Sequence, residues 1–331
     1  MLRLSLLLFF LFALTASVTQ AQTPHSARDY FHRGVARFAK GDLDGAIADY
    51  DRAIAQLARI ASDGADHSDA RSARGDVKEV IVNRGGSLAI IPLIAAAYYD
   101  RGLVRQAKED LDGAIADFDM AIELAPRFAE SYFGRGVARY YKGEMDEAVL
   151  DFSRAIEIHP IYATAYVNRG NARRARGEMD DAFADYNRAI RFDPRLAMAY
   201  NNRGIIQFGR EDYDRALADY DTAIKLDPRL AEAYNNRGIA RHAKGDLDGA
   251  IADYIKALAI NPRFAAVHKN RGLARLLRGQ DAEAEKDFDE YLASEKEMEP
   301  ALEQLIRAAK SQHARRLARP SGDYNAGGQA R

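Results

Sequence analysis

The chain has 331 residues, 47% hydrophobic and 29% charged, with a formal net charge of −1 and neither cysteine nor tryptophan. Without cysteine there is no disulfide framework, no thiolate metal site and no cysteine nucleophile. The near-neutral balance gives no electrostatic reason to expect nucleic acid or an anionic membrane as partner.

The first 21 residues, MLRLSLLLFFLFALTASVTQA, carry one positive charge at Arg3 and an apolar run from Leu4 to Leu14 broken only by Ser5. A more polar stretch then ends in Thr19-Gln20-Ala21, the pattern of a cleavable secretory signal. The run falls short of the roughly 18 apolar residues that a membrane anchor needs. The expected mature chain therefore starts at Gln22, is periplasmic or secreted, and keeps no stable membrane anchor.

From residue 27 the sequence repeats every 34 residues. Tyr30, Tyr98, Tyr132, Tyr166, Tyr200 and Tyr234 are each followed four residues later by glycine, at Gly34, Gly102, Gly136, Gly170, Gly204 and Gly238; Gly272 follows His268. Twelve residues past each glycine stands an alanine, from Ala46 to Ala284, and four further on an aromatic, from Tyr50 to Phe288. Residues four apart share one face of a helix, so each period reads as two helices. A Gly-Asp or Gly-Glu pair such as Gly245-Asp246 breaks the chain between them, and Pro126, Pro160, Pro194, Pro228 or Pro262 ends the second. This gives one unit at 27–60 and six more at 95–298.

Residues 61–94 fit the period less well. Ala70–Asp76 aligns with Ala240–Asp246, and Ser87–Pro92 with Ala257–Pro262, which suggests an eroded repeat. Asp63, Gly64 and Asp66 disfavour its first helix, and Gly85-Gly86 its second. The rival reading is an insertion, a loop or hairpin over 77–91. Leu302, Leu305, Ile306 and Ala309 form a helical stripe, expected to be a capping helix within 299–318. The remainder, 319–331, has the composition of a disordered tail.

The period and its Gly, Ala, aromatic and Pro positions resemble the tetratricopeptide repeat over residues 27–298. The resemblance implies an all-α solenoid, a right-handed superhelix of helix–turn–helix units, acting as a protein–protein interaction scaffold.

Two polar columns run through the repeats. One residue before each repeat glycine stands an arginine, and sixteen residues later an aspartate; Arg169 with Asp185, Arg203 with Asp219 and Arg237 with Asp253 are examples. The segment 61–94 loses both, with His67 and Asn83 in their places. These pairs are expected to be structural bridges, within a unit or between neighbours. The second column is asparagine. The hexapeptide AYNNRG occurs at Ala199–Gly204 and Ala233–Gly238, and its second asparagine belongs to a column of Asn168, Asn202, Asn236 and Asn270. In the family this position faces the concave groove. An amide offers a donor and an acceptor, which suits a peptide backbone, so these four are read as a partner-binding ladder, or else as amides touching only water. Asn201, Asn235 and Arg174 join them in the expected lining, and Tyr99, Phe133 and Tyr140 line its aromatic half. Tyr141 falls at such a groove position too, or else packs between repeats.

No catalytic residue, metal site or cofactor motif stands out. The seven histidines are scattered, and Asp42-Leu43-Asp44-Gly45 reads as a helix-hairpin turn rather than a calcium loop. The expectation is a non-enzymatic adaptor holding a peptide or protein partner in its groove. The alternatives are a self-assembling structural protein of the cell envelope and, third, an enzyme with its site inside the groove.

Overall fold

The computed structural model describes residues 26–63 and 90–294, with scattered positions between 300 and 311. The expected signal segment and terminal tail lie outside the described residues. Those described form fourteen helices and no strand. They divide into two compact units, Met1–Pro126 and Arg127–Arg331.

The first unit holds two hairpins, α1 (Ala27–Ala39) with α2 (Leu43–Asp63) and α3 (Ile91–Ala107) with α4 (Leu111–Leu124). The second holds five: α5 (Ala129–Lys142) with α6 (Met145–Ile158), α7 (Ala163–Ala175) with α8 (Met179–Phe192), and α9 (Ala197–Gly209) with α10 (Tyr213–Leu226). Then come α11 (Ala231–Ala243) with α12 (Leu247–Ile260) and α13 (Ala265–Arg278) with α14 (Asp281–Ser294). Within each unit the second helix of a hairpin also packs on the first helix of the next, which makes each a stack of like elements.

The hairpin closes because the repeat glycine has no side chain. A Cβ on Gly238 would lie 2.6 Å from the ring of Tyr254, and at the other repeat glycines the distance to the aromatic would be 2.6–3.0 Å. The alanines Ala46 to Ala284 and the aromatics they flank are sealed from solvent and form the core of each hairpin. Between the helices the chain passes through the left-handed region. Gly41, Gly143, Gly177, Gly245 and Gly279 do so at φ of 81–85°, where glycine meets no Cβ penalty. The same place is taken by Glu109 at 63° and Glu211 at 61°. The following aspartate starts the second helix: Asp42, Asp110 and Asp246 accept from the amides of Gly45, Gly113 and Gly249, an N-cap. Asp42 is thus a cap in a helix-hairpin turn.

At the segment 61–94 the helices on either side meet. α2 packs directly on α3, as the second helix of a hairpin in the second unit packs on the next. The polar contacts agree. In the second unit a repeat arginine reaches back sixteen residues, Arg203 to Asn187 and Arg237 to Asp221. Arg101 instead reaches back fifty, to Asp51 at 2.5 Å, which is sixteen plus one whole period. Likewise Lys108 bonds Asp44 across 64 residues where Lys244 bonds Asp214 across 30. Hairpins α1–α2 and α3–α4 stack as consecutive repeats. Helix α2 runs to Asp63 and α3 starts at Ile91, so both helices reach into the segment; residues 64–89 lie outside the described residues.

At the far end, Ile306 packs against Leu276, Ala284 and Phe288. Leu302, Leu305 and Ala309 of the expected cap lie outside the described residues.

Candidate interaction site

The aspartate column is buried and fully partnered. Arg169 donates Nε and Nη2 to Asp185 at 2.9 and 2.7 Å, Arg203 to Asp219 at 2.8 and 2.6 Å, and Arg237 to Asp253 at 2.9 and 2.6 Å. Each is a bidentate fork joining the two helices of one hairpin. The remaining nitrogen, Nη1, reaches the preceding hairpin, at Ser153, Asn187 and Asp221 respectively. One guanidinium therefore does both jobs that the sequence left as alternatives, bridging within a unit and between neighbours. Its face lies over the tyrosine three residues earlier, Arg203 at 5.5 Å from the Tyr200 ring centre, a cation–π contact.

The sequence reading missed a second arginine four residues after the first. Arg37, Arg105, Arg139, Arg173, Arg241 and Arg275 each add a bond to the same carboxylate, at 2.7–3.0 Å. The signal was available, because these arginines recur with the 34-residue period.

The asparagines form one head-to-tail chain of amides. Asn270 Nδ2 donates to Asn235 Oδ1, Asn235 to Asn236, Asn236 to Asn201, Asn201 to Asn202, and Asn202 to Asn171, at distances of 2.8–3.4 Å. The Tyr186 hydroxyl closes the row by donating to Asn171 Oδ1 at 2.8 Å. Burial pushes that phenol up to about 12, so it stays a donor at neutral pH. The row crosses α13, α11, α9 and α7, joining first helices of neighbouring hairpins. Asn201, Asn202 and Asn235 are buried in it, and Asn171, Asn236 and Asn270 are half-buried. These amides therefore bond one another first, a use that the ladder reading did not foresee; Asn171 was missed. Asn168 stands apart, donating to the Thr164 carbonyl of its own helix at 2.8 Å. Arg174 lies beside Tyr186, at the end of the row.

The aromatic half is largely core. Tyr99, in the first unit, is buried against Phe118 with ring centres 5.8 Å apart. Phe133 packs on Phe152 and Tyr162 at 5.7 and 5.1 Å. Tyr140 is half-buried over Ala148, Phe152 and Ala172 and meets Tyr141 edge-on. Tyr141 itself is 68% exposed rather than packed between repeats.

The repeat geometry finds its counterpart in known sequences. A family model described as TPR repeat matches residues 170–209 and 208–245, and two described as tetratricopeptide repeat match 231–264 in one case and 13–65 with 97–160 in the other. The chain belongs to the tetratricopeptide repeat family. No curated protein matches it in sequence. Among solved structures it is similar to a tetratricopeptide repeat protein from Parabacteroides merdae, at 17% identity over 86% of this chain and 98% of that one, TM-score 0.59. It is also similar to a chain of the APC/C hetero-tetramer Cut9–Hcn1, at 17% identity over 85% and 55%, TM-score 0.61. A third is pilF of Pseudomonas aeruginosa, at 13% identity over 65% and 96%, TM-score 0.58. At these identities the likeness is one of fold: tetratricopeptide repeats stacked as an all-α solenoid. Members of the family bind protein or peptide partners and are generally scaffolds without catalysis. Among the described residues no helix is long and apolar enough to cross a membrane.

Proposed function

We propose that this tetratricopeptide repeat protein is an adaptor that holds an extended segment of a partner along the first helices of its second unit. The observation that supports the reading is the amide row. After the bonds within the row, Asn236 keeps one N–H and one carbonyl lone pair, Asn171 two N–H, and Asn270 one N–H and both lone pairs. The row fixes these groups in position, so a peptide backbone meets an ordered set of donors and acceptors with little entropy left to lose. Tyr141, exposed beside Tyr140, adds an aromatic contact of the kind enriched at interfaces. The proposal includes an exported protein, on the strength of the apolar leader. Purified protein beginning at Gln22 supports export, and an intact Met1 in the native protein counts against it.

The test is capture of a partner from the native envelope or extracellular extract. The parent is compared with Asn236→Ala/Asn270→Ala and with Tyr140→Ala/Tyr141→Ala, each checked for unchanged helicity. A partner held by the parent and lost by the amide variant supports the reading. One held equally by all three overturns the site. Concentration-dependent mass with no partner favours the self-assembling alternative.

A further inference from the structure

Six of the seven hairpins hold their buried aspartate between two arginines. In α9–α10 the second arginine is replaced by Gln207. The difference is visible at one atom. In the other six hairpins Nε of the first arginine and Nη1 of the second both stand within 3.0 Å of the aspartate Oδ2, as Arg237 and Arg241 do at Asp253, at 2.9 Å each. Asp219 Oδ2 accepts from Arg203 alone, at 2.8 Å.

A cavity of about 560 Å³ lies at that place, lined among others by Phe183, Gln207, Arg210, Arg215, Ala218 and Asp219. Gln207 is only 8% exposed, and its Oε1 has no hydrogen-bond partner. A buried acceptor left unsatisfied is costly, and in the other six hairpins a guanidinium stands at this place. Asp219, also in the lining, is 5% exposed.

The cations around the cavity are already neutralised. Arg203 holds Asp219 and Asn187; Arg210 pairs with Asp180 and covers the Phe183 ring at 4.6 Å; Arg215 pairs with Asp212 at 3.1 Å. An anion entering here would have to take an arginine from its carboxylate. A cation finds two acceptors ready. We propose that the cavity is a receptor for a guanidinium ion, the head of a free arginine or of an arginine side chain on a partner protein, seated where the other hairpins place their own second arginine. One N–H would go to Asp219 Oδ2 and another to the Gln207 amide oxygen; the fork geometry favours guanidinium over ammonium. Asn202 and Gln207 are five residues apart on α9, about 140° round the helix, so this site is separate from the amide row.

The experiment uses the full chain and measures thermal unfolding and calorimetric titration with L-arginine, with the peptide acetyl-Gly-Arg-Gly-amide, with L-lysine and with phosphate. Bulk guanidinium destabilises proteins, whereas a ligand bound to the native site raises the melting temperature in a saturable way. Saturable binding of arginine or the peptide is expected, with lysine at least about tenfold weaker; the tighter of the two identifies the source. The variant Gln207→Arg, which installs the side chain that six hairpins already accommodate, is expected to lose the binding and to melt higher without ligand. Arginine binding that survives Gln207→Arg overturns the proposal. So does lysine binding as tightly as arginine, an absence of saturable binding by both arginine ligands, or stabilisation by phosphate in their place.

Discussion

Asp185 takes three hydrogen bonds from two arginines, Arg169 through Nε and Nη2 and Arg173 through Nη1, while its side chain is closed to solvent. Removing such a carboxylate leaves two cations facing each other at a buried site, and breaking a buried pair from one side costs about 3–5 kcal/mol. Asp185→Ala should lose stability in that range by urea denaturation. Asp219→Ala, which strands only Arg203, should lose about 1 kcal/mol less. Equal losses would show that the second arginine adds nothing to the aspartate column.

Glycine has two different roles in this chain, and alanine separates them. Gly238→Ala would drive a methyl into the Tyr254 ring at 2.6 Å, and overpacking of this kind costs about 1–3 kcal/mol. Gly209, at the end of α9, has open space around its Cβ position and an ordinary backbone. Gly209→Ala should therefore stabilise by about 0.5–1 kcal/mol through lost freedom of the unfolded chain. Chemical denaturation of the two variants should move the midpoint in opposite directions.

Periodicity made the fold legible, because identical chemical problems recur every 34 residues and each is solved the same way. The Gly–aromatic contact and the Arg203–Asp219 type of fork could be placed from spacing alone. Departures from the period were harder. The seven-residue match at Ala70–Asp76 says nothing of how α2 and α3 stack, since that is decided by the contact between them. The asparagines misled for a related reason. Asn201 and Asn202 are neighbours in sequence, but the row enters them from Asn236 and leaves them for Asn171, both in other hairpins, so a reading of one repeat at a time sees free amides. Tyr99 and Phe133 share a register position that groove and core both border, and their rings turn to Phe118 and Phe152.

The turn between helices gives a prediction from backbone geometry. Glu211 and Glu109 adopt the left-handed conformation that glycine fills in five other turns. A side chain there costs about 1 kcal/mol or more. Glu211→Gly and Glu109→Gly should each raise stability by up to about 1 kcal/mol, the gain being limited by glycine's greater unfolded-state freedom. Gly245→Ala should lower it by a similar amount. A destabilised Glu211→Gly would mean that the glutamate makes a compensating contact.

Asp100 yields the clearest dependence on pH. It stands two periods before Asn168, in the asparagine column, and burial raises its carboxyl from the ordinary 3.8 to about 7. The buried Tyr50 is close enough for the Asp100 charge to raise its phenol further. Between about pH 4 and 7 the unfolded chain has released this proton and the folded chain still holds it. Stability therefore falls as pH rises through that window, and above it the folded state carries a half-buried charge. Asp100→Asn keeps the shape, supplies the residue found elsewhere in the column, and removes the titration. The variant should be more stable than the parent at pH 8 by about 1–3 kcal/mol. The gain should shrink steadily as the pH is lowered towards 5, read from urea denaturation of both proteins in matched buffers. A gain independent of pH would assign the effect to packing, and a loss at pH 8 would mean that the carboxylate is ionised and held by a partner in the folded state.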